Sequence, residues 1–444
     1  MSSSERPAAA TAMSTGRESA DRTRAAFERL LMVAFHYPPC FGSSGIHRTL
    51  KFSRYLQDHA WQPIILTAHP RAYAKTSPQQ LGEIPAGIPV TRAFALDTPR
   101  HLPVLGKSLR VRALPDRWSS WWLGAVPAGL RLVRRHRPAV LWSTFPVATA
   151  HLIGLTLRRL TGLPWVADFR DSMTEDDFPV DPGTRRIYRW IERQAVRSAS
   201  RLIFTAPSAR AMYHARYPEL SPSRSLVIPN GYDEVDFSGL PAPDVRPSPA
   251  HGPIRIVHAG LIDEEERDPR PLFRALARLR RDGQISPETV QVELRAPGSD
   301  DYYNRVVKEL GVEGLVRVLP ALAYRDVLRD CAAAAALLVL QGESCNHQIP
   351  AKAYEYLRLG KPILALTSAA GDTAALLAEC GGVTMVDLLD EEAIHGALPP
   401  FFASLRAGTH GLPDQGRTAR YARHNQARDL AECLSQVAVE GAFR

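Results

Sequence analysis

Short apolar runs alternate along this chain with stretches whose apolar residues recur at helical spacing. In the first half the runs fall at 30–35, 63–67, 90–93, 139–143, 165–168, 202–205 and 225–228. In the second half they fall at 254–259, 290–295, 316–319, 336–340, 363–366 and 383–386. Runs of roughly 4–8 such residues, bounded by turn formers, read as buried strands. Amphipathic patterns lie between most of them, at 46–58, 185–198, 271–281, 302–310 and 324–330, and read as helices. Strand–helix alternation implies a parallel sheet covered on both faces. Two such series imply an α/β chain of two Rossmann-like, doubly wound domains. The segment 238–253, SGLPAPDVRPSPAHGP, is polar, Pro-rich and without periodicity, so it reads as a linker. The expected division is a disordered tail at 1–26, a first domain at 27–237, the linker, a second domain at 254–415 and a terminal segment at 416–444. Helical spacing returns from 418 to 439.

Composition narrows the class. At 444 residues, 45% hydrophobic and 23% charged, the chain suits a soluble protein of two domains. Its longest apolar run, 331–340, falls short of the roughly 20 residues a membrane-spanning helix needs. Residues 1–26 are Ser-, Ala- and Arg-rich, with no apolar signal core. Cys40, Cys331, Cys345, Cys380 and Cys433 are odd in number and contain no CxxC, which favours neither a disulfide framework nor a zinc site. A reducing cytoplasm fits best. The net charge of +9 favours anionic partners, although the excess arginine is spread over both halves. In RWSSWWLGAVPAGLRLVRRHRP, Trp118, Trp121 and Trp122 accompany Arg131, Arg134, Arg135 and Arg137. That mixture suits peripheral contact with an anionic membrane, or equally a helix with a core-facing aromatic side. No nucleic-acid fold signature accompanies it.

The stretch 348–366, QIPAKAYEYLRLGKPILAL, carries the most chemistry. Pro350 suits the first turn of a helix. Gly360 can take the left-handed cap that ends it. Ile349, Pro350 and Ala351 then stand at a helix N-terminus, where free N–H groups favour phosphate. Lys352 adds positive charge. Glu355, one turn on and on the same face, can accept hydrogen bonds from sugar hydroxyls. Together they make a receptor for a nucleotide diphosphate sugar; the plainer alternative is a surface helix with a Lys–Glu ion pair.

Three further constellations follow predicted strands. Gly42 and Gly45 stand at the mouth of a helix after the first strand, with Arg48 one turn in, where such folds bind ligands. The spacing is not GxGxxG, so a nicotinamide oxidoreductase is disfavoured. Asp168, Arg170 and Asp171, in WVADFRDSMTEDDF, close another strand. A carboxylate there could bind acceptor hydroxyls or assist their deprotonation. Asp176 and Asp177 promise too few converging ligands for a metal cage, so none is expected. Gly260 ends the first strand of the second half and Arg267 precedes its helix; arginine suits phosphate contact without a metal. Asn230 and Gly231, in IPNGYD, read as a structural turn.

Several of these motifs match one family. Lys352, Glu355, Tyr356, Leu357, Gly360, Lys361 and Pro362 resemble the donor-binding "EYLAxGKP" segment of the retaining, two-Rossmann-domain (GT-B) glycosyltransferases of family 4. The opening PPCFGSSGIHR with KFSRYL resembles the "PPxxGxxxxR…KFARYL" of its polysaccharide-type members. DFRD resembles their "DFRDPW", and ERDPRPLF their "(K/R)RDPxPLF". Where the family often has a second glutamate, this chain has His347, so the contact to the transferred sugar departs from the pattern. The resemblance spans most of residues 30–440. It implies a hexosyltransferase-type enzyme with the donor on the second domain and the acceptor on the first. Retention of configuration, no metal and no cofactor beyond the donor substrate are implied too. So is a last helix that crosses back to the first domain. The implied setting is cell-surface polysaccharide assembly on a glycan or lipid-linked acceptor, in the cytoplasm or peripheral on the inner face of the membrane. A sugar-nucleotide 2-epimerase of the same fold and a non-catalytic sugar-nucleotide-binding subunit remain as alternatives.

Overall fold

The computed structural model describes residues 27–42, 45–101, 114–240 and 252–443. The tail and most of the linker lie outside them. All thirteen predicted strands form, with ends shifted by two residues at most, in two wholly parallel sheets. The first comprises β1 (Glu28–Val33), β2 (Trp61–Ala68), β3 (Val90–Ala93), β4 (Val140–Thr144), β5 (Trp165–Phe169), β6 (Arg201–Phe204) and β7 (Ser225–Val227). Its order is β3-β2-β1-β4-β5-β6-β7. The second comprises β8 (Ile254–Ala259), β9 (Val290–Arg295), β10 (Val316–Leu319), β11 (Ala336–Gln341), β12 (Ile363–Thr367) and β13 (Val383–Val386), in the order β10-β9-β8-β11-β12-β13.

The local cause is continuous apolarity. All of β4, β5, β11 and β12 is buried, as a sheet with helices on both faces requires. Each fully buried Leu, Ile, Val or Phe contributes about 1.5–3 kcal/mol of transfer free energy. In both sheets the order reverses beside the first strand, between β1 and β4 and between β8 and β11. The crevice beyond the strands' carboxyl ends at such a reversal is where ligands bind in open α/β sheets. The two crevices face each other across one cleft, closed by contacts between the domains. Ser208 donates to Asp372 from its backbone N and its Oγ, both at 2.9 Å. The His47 and Tyr324 rings lie 5.6 Å apart.

The terminal segment departs from the uninterrupted helix that its spacing predicts. A single turn at Gln415–Thr418 and a 3-10 turn at Ala419–Tyr421 lead to an extended Ala422, and only then to the helix Arg423–Ala442. The break has a backbone cause. Tyr232 N donates to Tyr421 O at 3.2 Å and Arg423 N donates to Tyr232 O at 2.8 Å, so the chain opens to pair with the segment leaving the first domain. The helix then crosses to that domain, where Ala427, Leu430, Leu434 and Val437 join its core.

The tryptophans at 118–122 do not form a membrane face. Trp121 is fully buried, and Trp118 and Trp122 pack on the same core. Trp118 Nε1 donates to Ala72 O and Trp122 Nε1 to Thr156 Oγ1. Arg131, Arg134, Arg135 and Arg137 are exposed on the other side of the helix. Among the described residues no helix is long and apolar enough to cross a membrane. All five cysteines are buried and free.

Candidate active site

A cavity of about 550 Å³ occupies the cleft. Its second-domain wall is built by the loops after β8 and β11 and by the start of the helix Ala351–Leu359. Pro350 caps that helix in extended conformation, and Gly360 ends it at φ 67°. Ile349, Pro350, Ala351, Lys352 and Glu355 line the cavity, so the helix N-terminus opens into it, with Arg267 alongside. Gly42, Arg170 and Asp171 line the opposite wall. A second cavity, of about 780 Å³, adjoins the first: Lys352, Glu355 and Tyr324 line both. Ala259, Gly260, Ala296, Leu322, Val327 and Leu328 make its second-domain side largely apolar, and Phe41 closes it from the first domain.

Lys352 and Glu355 do not pair with each other. Lys352 Nζ lies 2.8 Å from His258 Nε2, and His258 Nδ1 lies 2.9 Å from Leu338 O. Because that carbonyl can only accept, Nδ1 carries the imidazole proton and Nε2 accepts from the lysine. His258 is fully buried on β8 and held neutral by burial and by Lys352. Burial and the Arg267 charge in turn push Lys352 down from 10.5 to about 7. Gly260 turns at φ 99° directly over the lysine; a Cβ there would stand 3.5 Å from Nζ. Glu355 accepts a hydrogen bond from the Tyr324 hydroxyl at 2.7 Å, and burial raises its carboxyl above the usual range. Arg267 keeps a buried Nε without a protein partner.

Two residues expected in the site lie beneath it instead. Arg48 and Asp168 are both fully buried. Arg48 Nε and Nη2 clamp the Asp168 carboxylate at 2.9 and 2.8 Å, and Thr144 Oγ1 donates to it as well. The same guanidinium donates to the carbonyls of Ile228 and Pro229 at 3.0 Å. Neither residue can reach a substrate. They bolt the 228–231 turn to β5, because the helix Gly45–Tyr55 turns Arg48 inward to the carboxyl end of that strand. Gly45 is likewise not a phosphate contact. It is buried, and a Cβ there would lie 2.7 Å from His36 Nδ1 and 2.9 Å from Arg170 Nη1. Gly45 makes room for Arg170. His347 turns away from the cavity lining and pairs with Glu175 of the first domain at 2.8 Å.

Other residues of the cavity wall escaped the sequence reading. Lys51 is held between Asp233, at 2.6 Å, and Asp236, at 3.3 Å. His47 and Arg423 also line the wall, and burial pushes His47 down to about 4. Asn230 and Gly231, read as structural, line the cavity while remaining structural: a Gly231 Cβ would lie 1.9 Å from Tyr421 O. One signal was available, since His258 is a polar residue between Val257 and Ala259 on the buried end of β8. For Arg423 there was none, because its position depends on where the crossing helix begins. Asp176 and Asp177 are exposed. Among the described residues no three His, Cys, Asp or Glu side chains converge as a metal site.

Residues 44–231 match the family model described as a glycosyl transferase 4-like domain. No curated protein matches the chain. The Anabaena protein HepE in complex with UDP-glucose is similar in structure over 92% of this chain and 99% of its own, at 14% identity and a TM-score of 0.62. Sucrose-phosphate synthase from Thermosynechococcus elongatus is similar over 94% and 98%, at 15% identity and a TM-score of 0.59. A putative UDP-N-acetylglucosamine 2-epimerase from Listeria monocytogenes is similar over 91% and 95%, at 11% identity and a TM-score of 0.55.

Proposed function

We propose, from the premise that this chain is a glycosyltransferase of the GT-B fold with a glycosyl transferase 4-like domain, that it takes its sugar from a nucleoside diphosphate and uses no metal. The observation that carries the reading is the wall formed by Arg267, Lys352 and the N-terminus at Ala351, beside a carboxylate that faces two cavities. The diphosphate lies against that wall. Glu355 accepts from the ribose hydroxyls. The nucleobase enters the apolar cavity between Ala259, Ala296 and Leu328.

In the reaction the bond between the anomeric carbon and the diphosphate oxygen breaks, and negative charge grows on the leaving phosphate. Lys352 and Arg267 meet that charge where it develops; one such preorganised donor is worth about 2.7–4 kcal/mol of barrier. The acceptor hydroxyl attacks on the face the phosphate is leaving. Its proton passes to a phosphate oxygen or to Asp171, and configuration is retained. Closure of the cleft keeps water from the donor. We place the reaction in cell-surface polysaccharide assembly on the cytoplasmic side of the membrane, on the strength of the family resemblance alone.

A thermal-shift panel of UDP-, GDP- and dTDP-sugars tests the donor assignment, since a ligand that binds only the native state raises its melting temperature. One nucleotide sugar is expected to shift the wild type and fail with Lys352→Ala and Glu355→Ala. Turnover with that donor then separates transfer from 2-epimerisation by product. No shift with any nucleotide sugar, in a folded protein, removes the donor site.

A further inference from the structure

The first-domain wall of the cleft carries positive charge that the donor does not account for. Arg170, at the end of β5, is 8% exposed, and Arg423, at the start of the crossing helix, is 5% exposed. Both line the main cavity, opposite Arg267 and Lys352. Arg170 Nε is buried without a partner. Arg423 donates one side-chain hydrogen bond, to Gln426 Oε1 at 3.0 Å. Neither forms an ion pair with a carboxylate among the described residues. Most acids nearby are engaged elsewhere. Asp168 is clamped by Arg48, Asp233 by Lys51 and Tyr55, and Glu355 by Tyr324. Asp171, half-buried beside Arg170, faces the cavity. Burial, with repulsion from Arg48 and Arg170, pushes Arg423 down to about 9. Two buried guanidinium groups facing one cavity are unfavourable until an anion joins them. Three features keep the pair in place. Gly45 leaves Arg170 its space, Thr205 Oγ1 ties down the Arg170 carbonyl at 2.7 Å, and the Ala422 break starts the helix at Arg423.

We propose that Arg170 and Arg423 bind a phosphate group of the acceptor, so that this enzyme glycosylates a phosphate-bearing acceptor, either a sugar phosphate or a lipid-linked one. The inference rests on the donor reading of the opposite wall. Guanidinium groups match phosphate oxygens in geometry as well as charge. The acceptor phosphate lies on the first-domain side, the donor diphosphate on the second, and the reacting hydroxyl between them, near Asp171.

The test is calorimetric titration of inorganic phosphate into protein saturated with the nucleoside diphosphate found in the donor screen. Wild type, Arg170→Met, Arg423→Gln and the charge-retaining Arg423→Lys are compared after their melting curves show them folded. Phosphate is expected to bind beside the nucleotide. Its affinity should fall about ten-fold or more in Arg170→Met and Arg423→Gln, the loss of charge-assisted hydrogen bonds, and less in Arg423→Lys. Competition between phosphate and nucleotide would assign the arginines to the donor and overturn the proposal. Equal binding in every variant would mean an adventitious ion only, and would also overturn it. If no nucleoside diphosphate binds, the donor reading fails by itself, and phosphate titration of the nucleotide-free variants still decides the arginine site. Turnover with hexose monophosphates against short-chain polyprenyl-diphosphate sugars then tells the two acceptor sources apart.

Discussion

Lys352 is predicted to weaken the empty protein and to be repaid by the donor. Its ammonium faces the Arg267 charge and has a neutral imidazole for its closest partner, with Glu355 one turn along the helix. Burial and the Arg267 charge bring the lysine from 10.5 to about 7. At about 1.4 kcal/mol per unit, charging the lysine costs the fold about 5 kcal/mol at most, less the relief supplied by water in the open cavity. The unfolded chain binds this proton up to about pH 10.5, whereas the fold releases it near 7. Over that window the unfolded state holds more protons, so the lysine makes stability rise with pH. Lys352→Met removes the charge and keeps the stem. Its advantage over wild type should be largest at pH 6 and shrink by up to about 1.4 kcal/mol per unit between pH 7 and 10. All seven tryptophans lie in the first domain, so urea unfolding should be followed by circular dichroism. The donor diphosphate should reverse the shift. Binding near pH 8 is then expected to take up close to one proton, measured by calorimetry in buffers of different ionisation enthalpy, and none in Lys352→Met. A stability difference that is flat with pH, together with no proton uptake, would refute the argument.

Other outcomes follow from the same geometry. Glu355→Gln keeps a partner for Tyr324 but loses a charged acceptor, so the donor KM should rise about 10–100-fold, corresponding to about 1.5–3 kcal/mol, in steady-state kinetics. Asp168→Asn leaves the fully buried Arg48 without its counter-charge and should lower unfolding stability by about 3–5 kcal/mol in denaturant titrations. His347 is raised above its ordinary 6.5, chiefly by its hydrogen bond to Glu175. Its cross-domain pair is therefore fully present below pH 6.5 and lost as pH rises through the raised value. The melting-temperature gap between wild type and His347→Gln should be widest near pH 6 and narrow as the pH rises through that raised value.

The α/β class, both sheets and the cationic helix start were legible in the sequence because each depends on local rules. Apolar runs fix buried strands, and 350–360 carries its own start and stop signals in Pro350 and Gly360. Lys352 and Glu355 share a face through helical spacing alone. The partners of these residues were not legible. Nothing local distinguishes Arg48, which turns inward to Asp168 across 120 residues, from Arg267, which turns outward to the cleft. Both are arginines near a helix start after a strand. Only the packed fold decides which charge finds a buried carboxylate and which is left facing the cavity. The same holds for His258, whose imidazole aims Lys352 across 94 residues, and for Arg423, placed in the cleft by a backbone pairing with Tyr232. Sequence determines where chains fold locally; the burial of charge is settled when distant elements meet, because a guanidinium or an ammonium costs little in water and much in the interior.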